Sequence, residues 1–397
     1  ATALKSDIEL FLAQKGLENN ALSRYLLLTD RLRSRGDHKI ISHVYSQAIR
    51  KLEGEDSSFF EGKYKLLTSK QHYLIQTKNR QKEKYYGEIF ESFELSWLYG
   101  YLFLSLTLLN NSISNPQLIL RPDLLPTFVK DHHLIRQREG LKVLYKVIQL
   151  LENDPKKPIE PLPLLADVRF HKSIYSKSMI KNIFNCLLNY FSRAVSSTQN
   201  THFKEAYFEL YEWGIEDKLI YADKYLHPRH YKNIITAGLT LGYTAKAWEY
   251  LEVLKGDLHP SLRAEYYTIN LANCHFVDGR LQIDKKCELV ISVLSDQTFT
   301  VPENIVTSRK MILKAKYKLG ERPTLETPCK SLIDYVKNQR QFSKNYAASH
   351  INWLNQFYKL LISYTPKKLN RLLEKTNNLN PMGDKQWLLA EITSKIK

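Results

Sequence analysis

The feature that most limits the fold of this chain is its shortage of turn-forming residues. It has only 14 glycines and 14 prolines among 397 residues, well below the average usage of roughly 12% for the two together. A sandwich, barrel or propeller needs a tight turn about every ten residues, so these folds are excluded. Hydrophobic residues make up 43% of the chain and aromatic residues 12%, which is too apolar for a disordered protein. The composition therefore predicts an all-α fold.

The pattern within the first 110 residues predicts helices joined by short connectors. Apolar residues between positions 22 and 32 recur at the i, i+3, i+4 and i+7 spacing of an amphipathic helix. Glycines that suit a left-handed helix cap follow three of the predicted segments: Gly16, Gly36 and Gly54. Short connectors between helices of similar length place neighbours antiparallel, so helical hairpins are expected here.

A proline-rich stretch divides the chain into two predicted segments. Pro155, Pro158, Pro161 and Pro163 fall within nine residues, which favours an extended path. We therefore predict an N-terminal helical-hairpin segment over residues 1–152, a connector over 153–173, and a C-terminal helical repeat segment over 174–397. The same prolines could instead form a ligand for another module, although a rigid connector is the commoner use.

Three glycines in the second half indicate an internal repeat. Gly242, Gly279 and Gly320 each follow a Tyr-rich helical segment, 37 and 41 residues apart. A period of this length, with a helix on each side, is typical of a solenoid. After Gly242, Ala247 and Leu251 resemble the second half of a tetratricopeptide repeat, in which a small residue lets the two helices approach closely.

The order of motifs in the C-terminal segment resembles an uncharacterised group of bacterial tetratricopeptide-like proteins. The residues that carry this resemblance are Phe208-Glu-Leu-Tyr, Leu226-His-Pro-Arg-His-Tyr231, Leu241-Gly242 and Tyr267-Thr-Ile-Asn270-Leu-Ala272, with Ser96-Trp-Leu-Tyr in the first half. The resemblance implies a right-handed solenoid of antiparallel helix pairs, and it supplies no catalytic residues. A solenoid exposes an extended concave face, which we expect to be the working surface.

The chain is basic, with a formal net charge of +17, and the last quarter holds most of the excess. Residues 301–397 contain 18 Lys and Arg against 7 Asp and Glu. Two predicted helices there carry basic residues at i, i+4 and i+8, which places them about 6 Å apart on one helix face. These candidate anion-binding residues are Lys310, Lys314, Lys318, Lys367, Arg371 and Lys375. A solvated outer face is the alternative interpretation.

No motif of an enzyme, cofactor or metal site occurs in the sequence. Nucleophile elbows, phosphate loops, zinc-protease helices and Gly-rich dinucleotide turns are all missing. His227 and His230 have an i, i+3 spacing, but Pro228 places His227 at a helix start, where it is expected to cap. The four cysteines form no C-x-x-C pair and are expected to be reduced and buried. We expect no enzymatic activity and no cofactor.

The remaining features lead to two functional hypotheses. The N-terminal residues show no signal peptide, and the apolar stretch at 95–109 is shorter than the 20 or so residues of a bilayer span. We therefore expect a cytoplasmic protein without a membrane span. The first hypothesis is an interaction scaffold that binds a protein partner, as a peptide or a helix, on its concave face. The alternative is nucleic-acid or ribonucleoprotein binding through the basic helix faces after residue 300.

Overall fold

The predicted all-α class is confirmed by the computed structural model of the chain. It describes residues 25–29, 31–32, 38–50, 52, 57–76, 85–114, 127–152, 160–197, 200–363 and 365–396, and these are almost entirely helical. They form two compact units, Ala1–Leu219 and Ile220–Lys397, each with more contacts inside it than across the boundary.

In the N-terminal unit, residues 25–29 and 31–32 are helical, and nine further α-helices and one 3₁₀ turn follow among the described residues. The helices are α1 (His38–Arg50), α2 (Ser57–Gln76), α3 (Tyr86–Ser114), α4 (Thr127–Lys130), α5 (His133–Gln137), α6 (Glu139–Glu152), α7 (Pro161–Phe170), α8 (Lys177–Ser197) and α9 (Thr201–Glu216). The 3₁₀ turn is Lys172–Ile174, between α7 and α8.

Helix α3 is the packing centre of the N-terminal unit, because α2, α6 and α8 all contact it. Its buried face carries Leu95, Leu98, Leu102 and Leu106, a spacing that keeps them on one side of a helix. At its closest approach to α6, a Cβ on Gly140 would overlap with the hydroxyl of Tyr99. Glycine is therefore required at this position for the two helices to pack.

The extended path predicted for residues 153–173 is corrected for residues 161–170, which form helix α7. Pro161 occupies the first turn, where a backbone N–H has no partner within the helix, so proline costs nothing there. Leu165 and Val168 are buried, and α7 packs against α9. The boundary between the compact units follows Leu219, well after the predicted connector. Pro155 and Pro158 lie outside the described residues.

The described part of the C-terminal unit begins with a two-stranded antiparallel hairpin and continues with nine α-helices. The elements are β1 (Tyr221–Ala222), β2 (Tyr225–Leu226), α10 (Pro228–Leu241), α11 (Thr244–Val253), α12 (Pro260–Val277), α13 (Ile283–Ser295), α14 (Pro302–Lys318), α15 (Glu326–Asn338), α16 (Lys344–Leu361), α17 (Pro366–Asn378) and α18 (Lys385–Ile396). The 3₁₀ turns Leu254–Asp257 and Arg322–Thr324 follow α11 and α14.

Two of the repeat glycines end helices of the C-terminal unit as predicted. Gly242 follows α10 with φ 79° and Gly320 follows α14 with φ 84°, the left-handed region that a residue without a Cβ enters at no cost. The chain can therefore reverse directly after each helix. Helices α10 and α11 pack together, as do α12 and α13, and α10 also contacts α12 while α12 contacts α14.

The apolar core at the end of the C-terminal unit is built around aromatic rings. Trp353 and Phe357 on α16 stack with ring centroids 4.9 Å apart, and Trp387 on α18 lies beside both. Tyr317 of α14 contacts Phe357 edge to face. This aromatic cluster joins α14, α16 and α18, and the polar site described next lies against it.

Candidate functional site

Lys310 and Lys314 do not lie on an exposed face of α14. Their exposed fractions are 4% and 8%, and the two Nζ atoms each lie 3.0 Å from Oδ2 of Asp384. The prediction that they form a surface stripe is therefore wrong in its placement. The physical reason is that burying an ammonium group is costly unless it is paired, and Asp384 supplies the counter-charge.

The sequence of α14 turns these lysines towards the interior. Val306, Leu313 and Tyr317 are buried, and the 3.6-residue period places Lys310 and Lys314 on the same side of the helix as these three. Aromatic rings receive the two ammonium groups. The Nζ atom of Lys310 lies 4.4 Å from the ring centroid of Trp353, and that of Lys314 lies 5.1 Å from the ring centroid of Trp387, both within cation–π range.

Asp384 comes from the turn between α17 and α18 and has φ 57°. Burial alone would raise the pKa of its carboxyl group, but the ammonium groups of Lys310 and Lys314 lower that pKa well below its usual range. Burial lowers the pKa of Lys310, and the carboxylate of Asp384 offsets part of this change. The carboxylate is therefore ionised at neutral pH and neutralises one of the two positive charges.

These residues line a cavity of about 280 Å³. Its walls come from α10, α12, α14 and α16 together with the turn before α18. The polar lining residues are Lys232, Thr236, Asn270, Asn273, Thr307, Lys310, Lys314, His350 and Asp384. Thr236 is exposed, so the cavity reaches solvent at that residue.

Lys232 on α10 is the third ammonium group of the cavity. Burial lowers its pKa, and Asp384 is the carboxylate that counteracts this most strongly. Within the part of the chain that the structure describes, no carboxylate lies at ion-pair distance from Lys232. The cavity therefore contains three ammonium groups and one carboxylate.

Two polar side-chain atoms of the cavity have no hydrogen-bond partner among the described residues. They are Oδ1 of Asn270 and Nδ1 of His350. The Nδ2 atom of Asn270 donates to the carbonyl oxygen of Tyr266 at 2.7 Å, so its amide orientation is fixed. Burial, and then the charge of Lys310, lower the pKa of His350 to about 3, which leaves the imidazole neutral. Buried polar atoms are normally paired, so these two are exceptions, and both have almost no accessible surface.

Lys318, the third member of the predicted row on α14, pairs with a different acid. Its side chain is 30% exposed and its ammonium group contacts Oε1 of Glu391 on α18, a carboxylate that is 9% exposed. The three lysines of α14 therefore pair with two separate carboxylates, half-exposed Asp384 and buried Glu391. They do not form one surface.

The predicted row on α17 is exposed. Lys367, Arg371 and Lys375 all lie on the solvent side of the helix, opposite the buried residues Leu369 and Leu372. Over the described residues of this region, no acidic side chain pairs with any of the three. Burial, and then the charge of Lys375, lower the pKa of Lys359 on the neighbouring helix α16, so positive charge accumulates at this surface.

The histidines and cysteines considered in the sequence have structural roles. His227 caps α10 by accepting a hydrogen bond at Nδ1 from the backbone N–H of Arg229, at 3.2 Å, which confirms the predicted capping. No group of three or more His, Cys, Asp or Glu residues that could hold a metal ion occurs among the described residues. The four cysteines are free and buried, and burial raises the pKa of Cys186 and of Cys329 to about 12.

Helix α3 has the length and composition of a membrane-crossing segment. Its span from Tyr86 to Ser112 has a mean hydropathy of 1.2, and 44% of its most apolar window is buried. One side packs in the core as described above. The other side exposes Phe90, Phe93, Trp97 and Leu104. The helix is thus apolar on both its buried and its exposed sides.

Three ionisable residues of the cavity were not found from the sequence: Lys232, His350 and Asp384. They lie on α10, α16 and the turn before α18, and no local motif connects them. No family model, curated protein or solved structure matches this chain. The geometry of the cavity therefore carries the functional argument.

Proposed function

We propose that the protein is a non-enzymatic interaction module whose C-terminal unit binds a peptide or helix of a partner protein. In this proposal α10 to α18 form a right-handed, tetratricopeptide-like solenoid of antiparallel pairs. The first helices of successive pairs, α10, α12, α14 and α16, form its concave face. Contacts of α10 with α12 and of α12 with α14 support this arrangement, because a helix in a solenoid packs against its counterpart in the next repeat.

The observation that carries the proposal is the polar cavity to which α10, α12, α14 and α16 all contribute. Each of these helices supplies a polar side chain to the same concave space, and two buried polar atoms there lack partners. Binding sites are typically concave and contain a few convergent polar groups. The excess of ammonium groups favours a partner segment with acidic residues.

A display selection tests this function. A library of random peptides is panned on the 397-residue chain, and enriched peptides are then measured by fluorescence anisotropy. We expect acidic peptides, and we expect Thr236→Arg at the cavity mouth to weaken their binding at least tenfold. The matched control is Glu249→Arg on α11, an exposed residue outside the cavity lining, which should leave the affinity unchanged. The proposal fails if no peptide is enriched, or if the two variants have the same effect.

The exposed row on α17 favours nucleic-acid binding as a second candidate function. Lys367, Arg371 and Lys375 are about 6 Å apart on one face and have no acidic partner among the described residues. Cations arranged in this way can contact successive phosphates of a nucleic acid and release its counterions. The other predicted row, on α14, does not support this candidate because Lys310 and Lys314 are buried and Lys318 pairs with Glu391.

Salt-dependent binding of a single-stranded RNA oligonucleotide tests the second candidate. We expect the triple variant Lys367→Glu, Arg371→Glu, Lys375→Glu to lose binding and to flatten the dependence of log K on log salt by about 0.7 for each phosphate contact removed. The control carries the same charge change at exposed positions elsewhere: Lys285→Glu, Lys337→Glu and Lys344→Glu. If both triple variants bind equally, net charge rather than the α17 face is responsible.

A further inference from the structure

We infer that the cavity between α10, α12, α14 and α16 is a binding site for a phosphate group. The site consists of the ammonium groups of Lys232, Lys310 and Lys314 and the carboxylate of Asp384. The inference rests on the proposed function in its use of the same concave surface, and it names the chemistry of the ligand that this surface accepts.

The charge balance of the cavity selects a dianion. Asp384 neutralises one of the three ammonium groups through its two contacts of 3.0 Å, which leaves two positive charges in a largely buried space. An electrostatic interaction is much stronger here than in bulk water because the effective dielectric constant is lower. A phosphate group carries a charge of −1.5 to −2 at neutral pH and so balances this excess. A single carboxylate would leave one ammonium group uncompensated.

Lys232 is the group that most needs an external anion. Lys310 and Lys314 already have Asp384 and the rings of Trp353 and Trp387. Lys232 has no carboxylate at ion-pair distance among the described residues, although burial disfavours its charged form. A phosphate oxygen in the cavity would accept a hydrogen bond from Lys232 and supply the missing counter-charge.

Titration calorimetry of the 397-residue chain tests the inference, with inorganic phosphate and the monoanion nitrate as the two probes at constant ionic strength. We expect one saturable phosphate site per chain and at least tenfold weaker binding of nitrate. Lys232→Gln removes the ammonium group without breaking an ion pair, and it should weaken phosphate binding about tenfold or more, the effect of one charge-assisted hydrogen bond. The matched control is Lys285→Gln on α13, an exposed lysine outside the cavity, which should bind phosphate like the parent chain.

A second measurement on the unaltered chain avoids any dependence on the folding of variants. Acetylation of lysines, followed by mass spectrometry, should show that phosphate protects Lys232 and does not protect Lys285. A phosphoserine peptide and its unphosphorylated form then separate a free phosphate ligand from a phosphorylated partner. Protection by the phosphopeptide but not by inorganic phosphate would assign the group to a partner, and the reverse would assign it to a small molecule.

The inference is overturned if neither inorganic phosphate nor the phosphopeptide binds, if nitrate binds as well as phosphate, or if Lys232 and Lys285 are protected equally. These outcomes are separate from those of the display selection. Enriched acidic peptides without phosphate binding would retain the proposed function and reject the phosphate site. Phosphate binding without enriched peptides would retain the phosphate site and reject the proposed function.

Discussion

Two helices of the C-terminal unit carry basic residues at the same i, i+4, i+8 spacing, and they use them in opposite ways. On α14 the row formed by Lys310, Lys314 and Lys318 is turned inward and pairs with Asp384 and Glu391. On α17 the row formed by Lys367, Arg371 and Lys375 faces solvent. The comparison teaches that spacing determines which residues share a helix face, whereas the other residues of the helix determine where that face points.

The apolar residues of each helix explain the difference. On α14 the lysines share their face with buried Val306, Leu313 and Tyr317, so packing of those residues carries the lysines inward. On α17 the basic residues lie about half a turn away from buried Leu369 and Leu372, so the same packing turns them outward. The buried row is possible only because a carboxylate 74 residues away reaches it.

Charge reversal should give the largest difference in stability between the two rows. Lys310→Glu would place a second carboxylate beside Asp384 in a buried site, and we expect a loss of about 4 kcal/mol or more in the free energy of unfolding. Lys367→Glu changes an exposed side chain and should alter stability by less than about 0.5 kcal/mol. Urea denaturation followed by tryptophan fluorescence measures both, since Trp353 and Trp387 lie beside the buried row. Equal midpoints for the two variants would contradict the burial of α14.

Removal of the counter-charge should have the next largest effect. Asp384→Asn retains the shape of the side chain, and Asn tolerates the left-handed backbone at φ 57°. It nevertheless leaves Lys310 and Lys314 without a carboxylate. Because 47% of the Asp384 side chain is exposed, solvent screens the interaction, and we expect a loss of about 1 to 2 kcal/mol. The control is Asp334→Asn, which breaks an exposed pair with Lys337 at 4.0 Å and should cost under about 0.5 kcal/mol. A stable Asp384→Asn chain would mean that other groups of the cavity stabilise these lysines without the carboxylate.

The contrast between the rows also shows how much of the molecule is predictable from sequence. The all-α class, the capping glycines at Gly242 and Gly320, and the helix start at Pro228 are local properties, and each followed from residue type and spacing. The inward direction of Lys310 was also present in the sequence, through the shared period with Val306 and Leu313. The positions of Lys232, His350 and Asp384 around one cavity depend on tertiary packing between distant segments, and no local pattern encodes it. The helix at residues 161–170 was missed because its first turn contains two prolines, and closely spaced prolines are also typical of an extended connector.

Acid titration should reveal the role of Asp384 through a smaller change in stability. The ammonium groups hold its pKa in the folded chain below the value of about 3.9 in the unfolded chain, so the unfolded chain takes up the proton first as pH falls. The difference in the free energy of unfolding between the parent and Asp384→Asn therefore has its full value above about pH 5, and it shrinks as pH decreases below about 4. The groups that face the carboxylate are Lys310, Lys314, Lys232 and His350.

Denaturation of the parent and of Asp384→Asn between pH 6 and pH 3.5 measures this change. Subtracting the two stabilities removes the contribution of other carboxylates, such as that of Glu265. Burial raises the pKa of Glu265, but hydrogen bonds from Thr300 and Asn304 outweigh this and lower it. His350, whose pKa burial lowers to about 3, is present in both chains, so the same subtraction removes most of its contribution. A difference that stays constant over this range would show that Asp384 is not held ionised by the lysines.

The smallest expected effect concerns the exposed row, where positive charges repel each other without a counter-ion. The charge of Lys375 is one of the causes, after burial, that lower the pKa of Lys359. Lys375→Gln should therefore stabilise the chain by a few tenths of a kcal/mol, comparable to relief of a like-charge pair on a helix, and should raise the pKa of Lys359. The matched substitution Lys337→Gln, at an exposed lysine paired with Asp334, should not stabilise the chain. NMR titration of the Lys359 side chain and the thermal midpoint of each variant provide the two readouts.

Destabilisation by Lys375→Gln would mean that this row already has an internal counter-charge, and the α17 face would then resemble the paired row on α14.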